Sequence, residues 1–125
     1  MKATIIISVY KNVEALNLIL ESLRLQTCQD FDIIVSEDGE DVDMQKFVVS
    51  YDWFCPYQHL TQPDEGWRKN RALNRAVVAA KNEWLIFIDG DCVLHPRFVE
   101  MHLHYAAPNR ILLGRRVKLL KVMSD

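Results

Sequence analysis

The segment from Trp84 to Asp91 constrains the fold of this chain more than any other part of the sequence. Residues 84–88 are all apolar, and they run without alternation into Asp89, Gly90 and Asp91. A short unbroken run rich in β-branched and aromatic residues is typical of a strand buried on both faces, as in a parallel sheet covered by helices. Because ligands of open α/β sheets bind beyond the carboxyl ends of the strands, the sequence predicts a buried central strand that ends at a ligand site.

The two carboxylates of this segment indicate a cation. Asp89 and Asp91 repel each other at close range, so both stay ionised most easily beside a positive charge. Mg²⁺ and Mn²⁺ prefer carboxylate oxygens and often take one or two of them, with substrate phosphates completing the shell. Gly90 allows a tight turn and the close approach of a ligand. The alternative is an acidic turn that caps the next helix, but the position after a buried strand favours metal or phosphate binding.

The rest of the chain alternates between apolar runs and amphipathic segments. The order β-α-β-α-β-α-β-loop-α-β predicts an α/β fold, with a mostly parallel sheet, right-handed crossovers and helices on both faces. Residues 1–125 contain no internal repeat, linker or low-complexity tract, which predicts a single domain. The predicted strands cover residues 3–10, 31–36, 57–62 (at an edge), 84–88 and 110–120, and the predicted helices cover residues 13–26, 41–50, 67–81 and 97–105. Asn12 is expected to cap the first helix, and the apolar side of the second is expected to carry Val42, Met44, Phe47 and Val48.

Composition limits the classes of partner. The net charge of −2 gives no general field that attracts nucleic acid or anionic lipid. No apolar run approaches the roughly 20 residues of a membrane-spanning helix, and the N-terminus lacks the layout of a signal peptide. Three cysteines without metal-type spacing favour reduced thiols. We therefore expect a cytoplasmic protein with no nucleic-acid partner and no transmembrane segment, and the sequence leaves a homodimer open.

Polar side chains stand at three predicted strand ends. Ser8 and Tyr10 end the first strand, Asp38 follows the second and Asp89 follows the fourth. Because the carboxyl ends of parallel strands share one edge, these residues are expected to converge. The ring of Tyr10 can stack on a nucleotide base, and Asp38 can accept hydrogen bonds from a base or a ribose. The alternative for Tyr10 is a half-buried ring at a strand end, and the alternative for Asp38 is an ordinary turn residue before Gly39.

The predicted helix over residues 67–81 begins with an unusual concentration of positive charge. Its first half carries Arg68, Lys69, Arg71 and Arg75, although the helix dipole favours acidic residues there. A helix N-terminus with added cations makes a good anion site, and Arg68 and Arg71 share a face because they lie three residues apart. This pattern predicts a clamp for phosphates, and the alternative is a solvated basic face.

Taken together, these segments resemble the family 2 glycosyltransferases of the GT-A fold. The resemblance covers nearly the whole chain, and the segments that carry it are residues 8–12, 23–27, 30–39, 66–74 and 83–91. It implies that Ser8 and Tyr10 contact the base, that Asp38 binds base or ribose, and that Arg68 and Asn74 support the donor site. Within the Asp-Gly-Asp motif, it implies that Asp89 lies towards the ribose or a metal-bound water and that Asp91 ligates Mn²⁺ or Mg²⁺ directly. The Gly-Trp-Arg and Asp-Gly-Asp-Cys segments, with the later His102, are most similar to the polysaccharide-synthesising and galactosyltransferase-like branches.

The resemblance implies an enzyme that transfers a sugar, with inversion, from a nucleotide-diphospho-sugar to the hydroxyl of a glycan or other acceptor. A UDP-sugar is the favoured donor. Family members usually have a second half that forms the acceptor site and supplies a catalytic acid, and no residue after Asp91 matches that acid. The chain is therefore expected to be a donor-binding half with an unassigned general base, for which Glu100 is one option. The sequence leaves two roles open for His102, as a metal ligand or as a structural residue. The alternative function for the whole chain is a domain that binds nucleotide-sugar without transferring it.

Overall fold

The computed structural model describes residues 2–63, 69–89 and 94–104, without the side chains of residues 69 and 70. Within these ranges strands and helices alternate in the predicted order. The elements are β1 (Ala3–Val9), α1 (Val13–Arg24), β2 (Phe31–Glu37), α2 (Val42–Ser50), β3 (Tyr57–Leu60), α3 (Lys69–Ala79), β4 (Trp84–Asp89) and α4 (Phe98–His104). The predicted strand over residues 110–120 lies outside the described residues.

The four described strands form one parallel sheet in the order β3-β2-β1-β4. Strand order reverses at β1, because β2 and β3 lie on one side of it and β4 on the other. In α/β sheets such a reversal is where ligands bind, outside the carboxyl ends of the strands. The α/β class and the parallel sheet are therefore as predicted, with helices on both faces.

The two central strands fit the expectation of burial on both faces. All residues of β1 except Ser8, and all residues of β2 except Asp32, are buried. The expectation was wrong for β4, where Leu85, Phe87 and Asp89 are only half-buried and alternate with buried residues. Among the described strands β4 lies at an edge and is not central. Its apolar run is continuous because both faces are covered, but an edge strand is covered less completely.

The helices divide between the two faces of the sheet. Residues of α1, α2 and α4 pack with those of β1, β2 and β4 into a large buried cluster. On the other face a smaller cluster consists of Ile6, Ile34 and Ala76, with half-buried neighbours from α3, β3 and β4. We call these the α1 side and the α3 side of the sheet.

Local sequence explains where two helices begin. The side chain of Asn12 accepts a hydrogen bond from the Ala15 N–H at 3.1 Å, as predicted. Asp41 does the same for the Met44 N–H at 3.0 Å and so caps α2. None of the described helices is long and apolar enough to span a membrane.

Several predicted boundaries and one predicted core residue differ from the structure. α1 ends at Arg24, β3 at Leu60 and α3 at Ala79, each earlier than the sequence pattern indicates. Val42 was expected on the apolar side of α2, yet it is 61% exposed. It precedes the buried Met44 by two residues, which is about 200° around a helix, and it therefore points away from the sheet.

Candidate functional site

The register of the sheet brings the predicted strand-end residues together. Ser8 of β1 pairs with Ser36 of β2 on one side and with Asp89 of β4 on the other. The Asp38 N–H donates to the Val9 carbonyl at 3.1 Å, which fixes the turn after β2 against the end of β1. Tyr10 follows directly, with 44% of its surface exposed. The edge of the sheet that is formed by the carboxyl ends of its strands thus carries Ser8, Tyr10, Asp38 and Asp89. We call this row of strand ends the edge.

Ser8 and its two partners in the sheet, Ser36 and Asp89, share the α3 side. Side chains alternate along a strand, and Ile6, Ile34 and Phe87 belong to the cluster beneath α3. Two residues further along each strand, Ser8, Ser36 and Asp89 therefore occupy the same side. The Ser36 hydroxyl is buried and has no hydrogen-bond partner among the described residues. Polar groups thus replace the apolar core at this end of the α3 side.

Asp38 is held firmly in its turn. Its side chain is buried, and its Oδ1 accepts a hydrogen bond from Gln62 Nε2 at 2.7 Å. The backbone N–H of Gln62 also donates to the Gly39 carbonyl at 3.3 Å. Gly39 has a φ of 156°, a conformation that is open almost only to glycine. This backbone conformation explains why glycine follows Asp38. The hydrogen bond from Gln62 orients the Asp38 carboxylate.

A buried carboxylate next to Asp38 was missed by the sequence reasoning. Glu37 is 1% exposed; its Oε1 lies 2.7 Å from His59 Nε2, and its Oε2 accepts from the Asp41 N–H at 2.8 Å. It therefore ties the end of β2 to β3 and to the start of α2. The only local signal was its position in the acidic run after β2, because His59 is 22 residues away in sequence.

The turn after β1 carries backbone strain. Lys11 has a φ of 56°, in the left-handed region that non-glycine residues adopt at a cost of about 1 kcal/mol or more. Its ammonium group lies 5.1 Å from the centre of the Tyr10 ring. No glycine marks this turn in the sequence, so sequence reasoning did not identify it. Strained residues of this kind cluster at functional sites.

A cavity of about 340 Å³ opens beside this edge, between the turn after β1 and the start of α2. Its charged lining is mostly acidic, and the lining residues are Lys11, Glu37, Gly39, Glu40, Asp41, Val42 and Asp43. A neighbouring cavity of about 270 Å³ shares Glu37, Glu40 and Asp41. A diphosphate would be repelled by this lining, so the α2 end of the edge is unsuited to phosphate groups.

Helix α3 presents polar residues to solvent. Arg71 and Asn74 are exposed, whereas Ala72 and Ala76 are buried against the sheet. Arg75 donates to the Thr61 carbonyl, which joins the helix to the segment after β3. Since α3 connects the end of β3 to the start of β4, its first turns stand at the same edge as Ser8 and Asp89. Arg68, Gly90 and Asp91 lie outside the described residues.

The described residues include no group of three or more His, Cys, Asp or Glu side chains that could hold a metal ion. Asp89 contributes one carboxylate at the edge. His102 packs on the α1 side, 4.8 Å from the ring of Phe98, and its Nδ1 is buried without a hydrogen-bond partner among the described residues. Burial lowers the pKa of His102. These features agree with the structural alternative for His102.

Glu100 is poorly suited to act as a base. It accepts hydrogen bonds from Arg97 Nε at 2.8 Å and from the Thr27 hydroxyl at 3.2 Å. These two bonds, that of Arg97 first, lower the pKa of its carboxyl group and so reduce its basicity.

Comparison with known proteins gives the family. The model of glycosyl transferase family 2 matches residues 4–119. The chain belongs to this family. The family model thus covers the four strands, the four helices and the edge that carries Ser8, Asp38 and Asp89.

Individual relatives agree with this assignment. The chain is 26% identical over 116 residues to a chondroitin synthase of Escherichia coli, a match that covers 90% of the chain and 17% of the synthase. It is 29% identical over 116 residues to a validoxylamine A glucosyltransferase of Streptomyces hygroscopicus, covering 89% of the chain and 28% of that enzyme. A hyaluronan synthase of Pasteurella multocida is 25% identical over 101 residues, a match that covers 80% of the chain and 10% of that synthase. The chain therefore spans less than a third of the length of each of these relatives.

A solved structure supports the fold. TarS of S. aureus superposes with a TM-score of 0.68 at 20% sequence identity, and the match covers 83% of this chain and 19% of TarS. At this identity the likeness concerns the fold alone.

Proposed function

We propose that this chain is the nucleotide-sugar-binding domain of a family 2 glycosyltransferase that transfers a sugar from a nucleotide-diphospho-sugar to a hydroxyl acceptor. The observation that carries the proposal is the alignment of Ser8, Asp38 and Asp89 along one sheet edge, where strand order reverses. The synthases of chondroitin and hyaluronan among the relatives favour a role in glycan synthesis.

The nucleoside of the donor is assigned to the end of β1 and the turn after β2. Tyr10 offers an exposed ring on which a base can stack. Asp38, oriented by Gln62 and by the Val9 carbonyl, offers carboxylate oxygens to the N–H groups of a base or the hydroxyls of a ribose. A UDP-sugar is the proposed donor.

The diphosphate is assigned to the α3 side. The acidic lining of the cavity beside α2 disfavours phosphates there. On the α3 side, Arg71 and Asn74 are exposed on the helix that begins at this edge, and Arg68 precedes them in sequence. A guanidinium group near the departing diphosphate would stabilise the charge that grows on it during transfer.

A divalent cation fits the chemistry of this edge. Mg²⁺ is normally bound through one or two carboxylates together with substrate phosphates, so a large cluster of protein ligands is not needed. Asp89 supplies one carboxylate next to Ser8, and Asp91 is the proposed direct ligand. When bound, Mn²⁺ or Mg²⁺ would act as a Lewis acid that offsets the charge of the diphosphate.

The transfer itself is proposed to invert the anomeric carbon. The residues of the edge would hold the nucleotide and the diphosphate. The acceptor oxygen would form its bond to the anomeric carbon on one face while the bond from that carbon to the diphosphate breaks on the opposite face, and the nucleoside diphosphate leaves. A general base must take the proton from that hydroxyl. No described residue is assigned this role.

Calorimetry with UDP and Mn²⁺, beside an assay for release of UDP from UDP-sugars, tests the proposal. We expect Mn²⁺-dependent binding that Asp91→Ala weakens about tenfold or more, with little change in melting temperature. The matched control is Asp52→Ala. Asp52 is an exposed aspartate that follows α2, at the opposite end of the strands from Asp89. Binding without any turnover would favour the non-transferring rival. A large loss of stability with unchanged affinity would make Asp91 a structural turn residue.

A further inference from the structure

We infer that Gln26 is a positioning residue of the donor site, a role that rests on the proposed function. Gln26 lies in the turn after α1 and is 5% exposed. Its Nε2 donates to the Ser22 carbonyl at 3.2 Å and to the His95 carbonyl at 2.8 Å. Its Oε1 accepts from the Val99 N–H at 3.0 Å. One buried amide thus joins the end of α1 to the segment that follows the Asp-Gly-Asp motif.

The neighbours of Gln26 strengthen the same junction. The Leu94 N–H donates to the Ser22 hydroxyl at 3.3 Å, and that hydroxyl donates in turn to the Ile19 carbonyl at 2.7 Å. The Thr27 N–H donates to the Pro96 carbonyl at 2.9 Å. Residues 94–100 are therefore held by hydrogen bonds from residues 22–27, in addition to the apolar contacts of α4.

The chemistry of the junction requires an amide. Val99 is the second residue of α4, and the first N–H groups of a helix have no acceptor within the helix. Gln26 supplies that acceptor from outside while donating two hydrogen bonds to carbonyls, a combination that neither a carboxylate nor an apolar side chain can provide. Removing it would leave buried polar groups unpaired on both segments.

The junction bears on the site through the chain itself. Asp89 is fixed by its pairing with Ser8, and Leu94 is fixed by Ser22. Asp91, the proposed metal ligand, stands three residues before Leu94 in sequence. Because Asp91 is only two residues from Asp89 and three from Leu94, the length of the chain limits where Asp91 can lie, and loosening residues 94–99 widens that limit. Residues that orient a metal ligand in this way commonly alter metal affinity when they are replaced.

Gln29 provides a matched control. It lies three residues from Gln26, and its Nε2 donates to the Gln26 carbonyl at 2.9 Å and lies 3.2 Å from the carbonyls of Leu23 and of Arg24. These bonds close the end of α1 and do not extend to residues 94–100. Gln29 is exposed, so Gln29→Ala controls for the loss of an amide that binds carbonyls at the end of α1, and only Gln26→Ala loosens the junction.

Two measurements on the full chain test the inference. In calorimetry with UDP and Mn²⁺, Gln26→Ala is expected to raise Kd about tenfold, while Gln29→Ala leaves it unchanged. Without metal, the weak affinity for UDP should be the same in both variants and the wild type. In hydrogen exchange, the amides of Leu94 and Val99 should lose protection in Gln26→Ala and keep it in Gln29→Ala. If Gln26→Ala does not fold, Ser22→Ala carries the same test with the same expected rise in Kd, because it removes only the hydroxyl that accepts from the Leu94 N–H.

The outcomes separate the inference from the proposed function. Wild-type chain that fails to bind UDP in Mn²⁺ would overturn the proposed function and this inference with it. Wild-type binding with an unchanged Kd in Gln26→Ala would overturn the inference alone, and so would an equal loss of affinity in the two variants. Faster exchange at Val99 without any change in Kd would make Gln26 purely structural.

Discussion

The two sides of the sheet differ in how many apolar side chains they bury. On the α1 side, three helices and every second residue of β1, β2 and β4 form a continuous apolar cluster. On the α3 side, the buried apolar cluster among the described residues consists of only Ile6, Ile34 and Ala76. Beyond them lies the polar row of Ser8, Ser36 and Asp89, at the edge where the donor is proposed to bind. Apolar burial is thus concentrated on the α1 side, and this row of polar side chains lies on the α3 side.

The comparison explains why one small domain can hold polar groups at the ends of buried strands. Burying a polar group without a partner costs free energy, of the order of 1–3 kcal/mol in proteins. The α3 side carries such a group in Ser36, whose hydroxyl is buried. The apolar cluster of the α1 side offsets this cost, since burial of each large aliphatic side chain contributes roughly 1.5–3 kcal/mol.

The largest expected effect comes from truncating the same residue type on the two sides. Leu20 is fully buried on the α1 side, whereas Leu73 of α3 is only half-buried. Leu20→Ala should lower the free energy of unfolding by about 3 kcal/mol, because it leaves a cavity in a packed core. Leu73→Ala should cost about 1 kcal/mol, since solvent already reaches that site. Urea denaturation of both variants measures the difference, and equal losses would contradict the asymmetry between the sides.

A second pair of variants compares two carboxylates of the edge. Asp38→Ala removes a buried hydrogen-bond acceptor of Gln62 and should cost about 1–3 kcal/mol of stability. Asp89→Ala removes a half-buried carboxylate at a strand end and should cost less. Under the proposed function both variants weaken the binding of UDP in Mn²⁺. Denaturation and calorimetry on the same samples would sharpen the comparison, and a greater stability loss for Asp89→Ala would break it.

The fold was predictable because each strand carries its own signal. The apolar runs of β1 and β2 predict central strands, and both strands are buried almost throughout. The run of β4 predicts a strand equally well, but it does not reveal that Leu85 and Phe87 remain partly exposed or that β4 is the outermost of the four described strands on its side. Periodicity reports the kind of element, while its place in the sheet depends on which strands pair.

The supporting groups of the site could not be predicted in the same way. Glu37 meets His59 across 22 residues, and Gln26 meets His95 and Val99 across 69 and 73 residues. No local pattern links such partners, and a buried glutamate or glutamine looks like a surface residue in the sequence. Ser8, Tyr10 and Asp38 were identified because each stands at the end of a predicted strand, where topology alone brings them together.

The smallest expected effect tests whether α4 belongs to the apolar core of the α1 side. Burial lowers the pKa of His102 below its ordinary value of 6.5. Between the unfolded and the folded pKa, the unfolded chain binds the proton and the folded chain does not. The stability should therefore fall as the pH drops below about 6.5 and level off below the folded pKa. At pH 7.5 the imidazole is neutral in both states, and this loss is absent.

Melting temperatures at pH 7.5 and pH 5.0 measure the effect. His102→Gln should reduce the loss of stability between the two conditions, because glutamine does not titrate. His104→Gln, on an exposed position of the same helix, should leave that loss closer to the wild-type value. All other titrating groups are the same in the wild type and in His102→Gln, so the difference between these two chains reports on His102. If His102→Gln shows the wild-type loss in full, His102 is solvated when the chain is folded, and the apolar cluster on the α1 side ends before the last turn of α4.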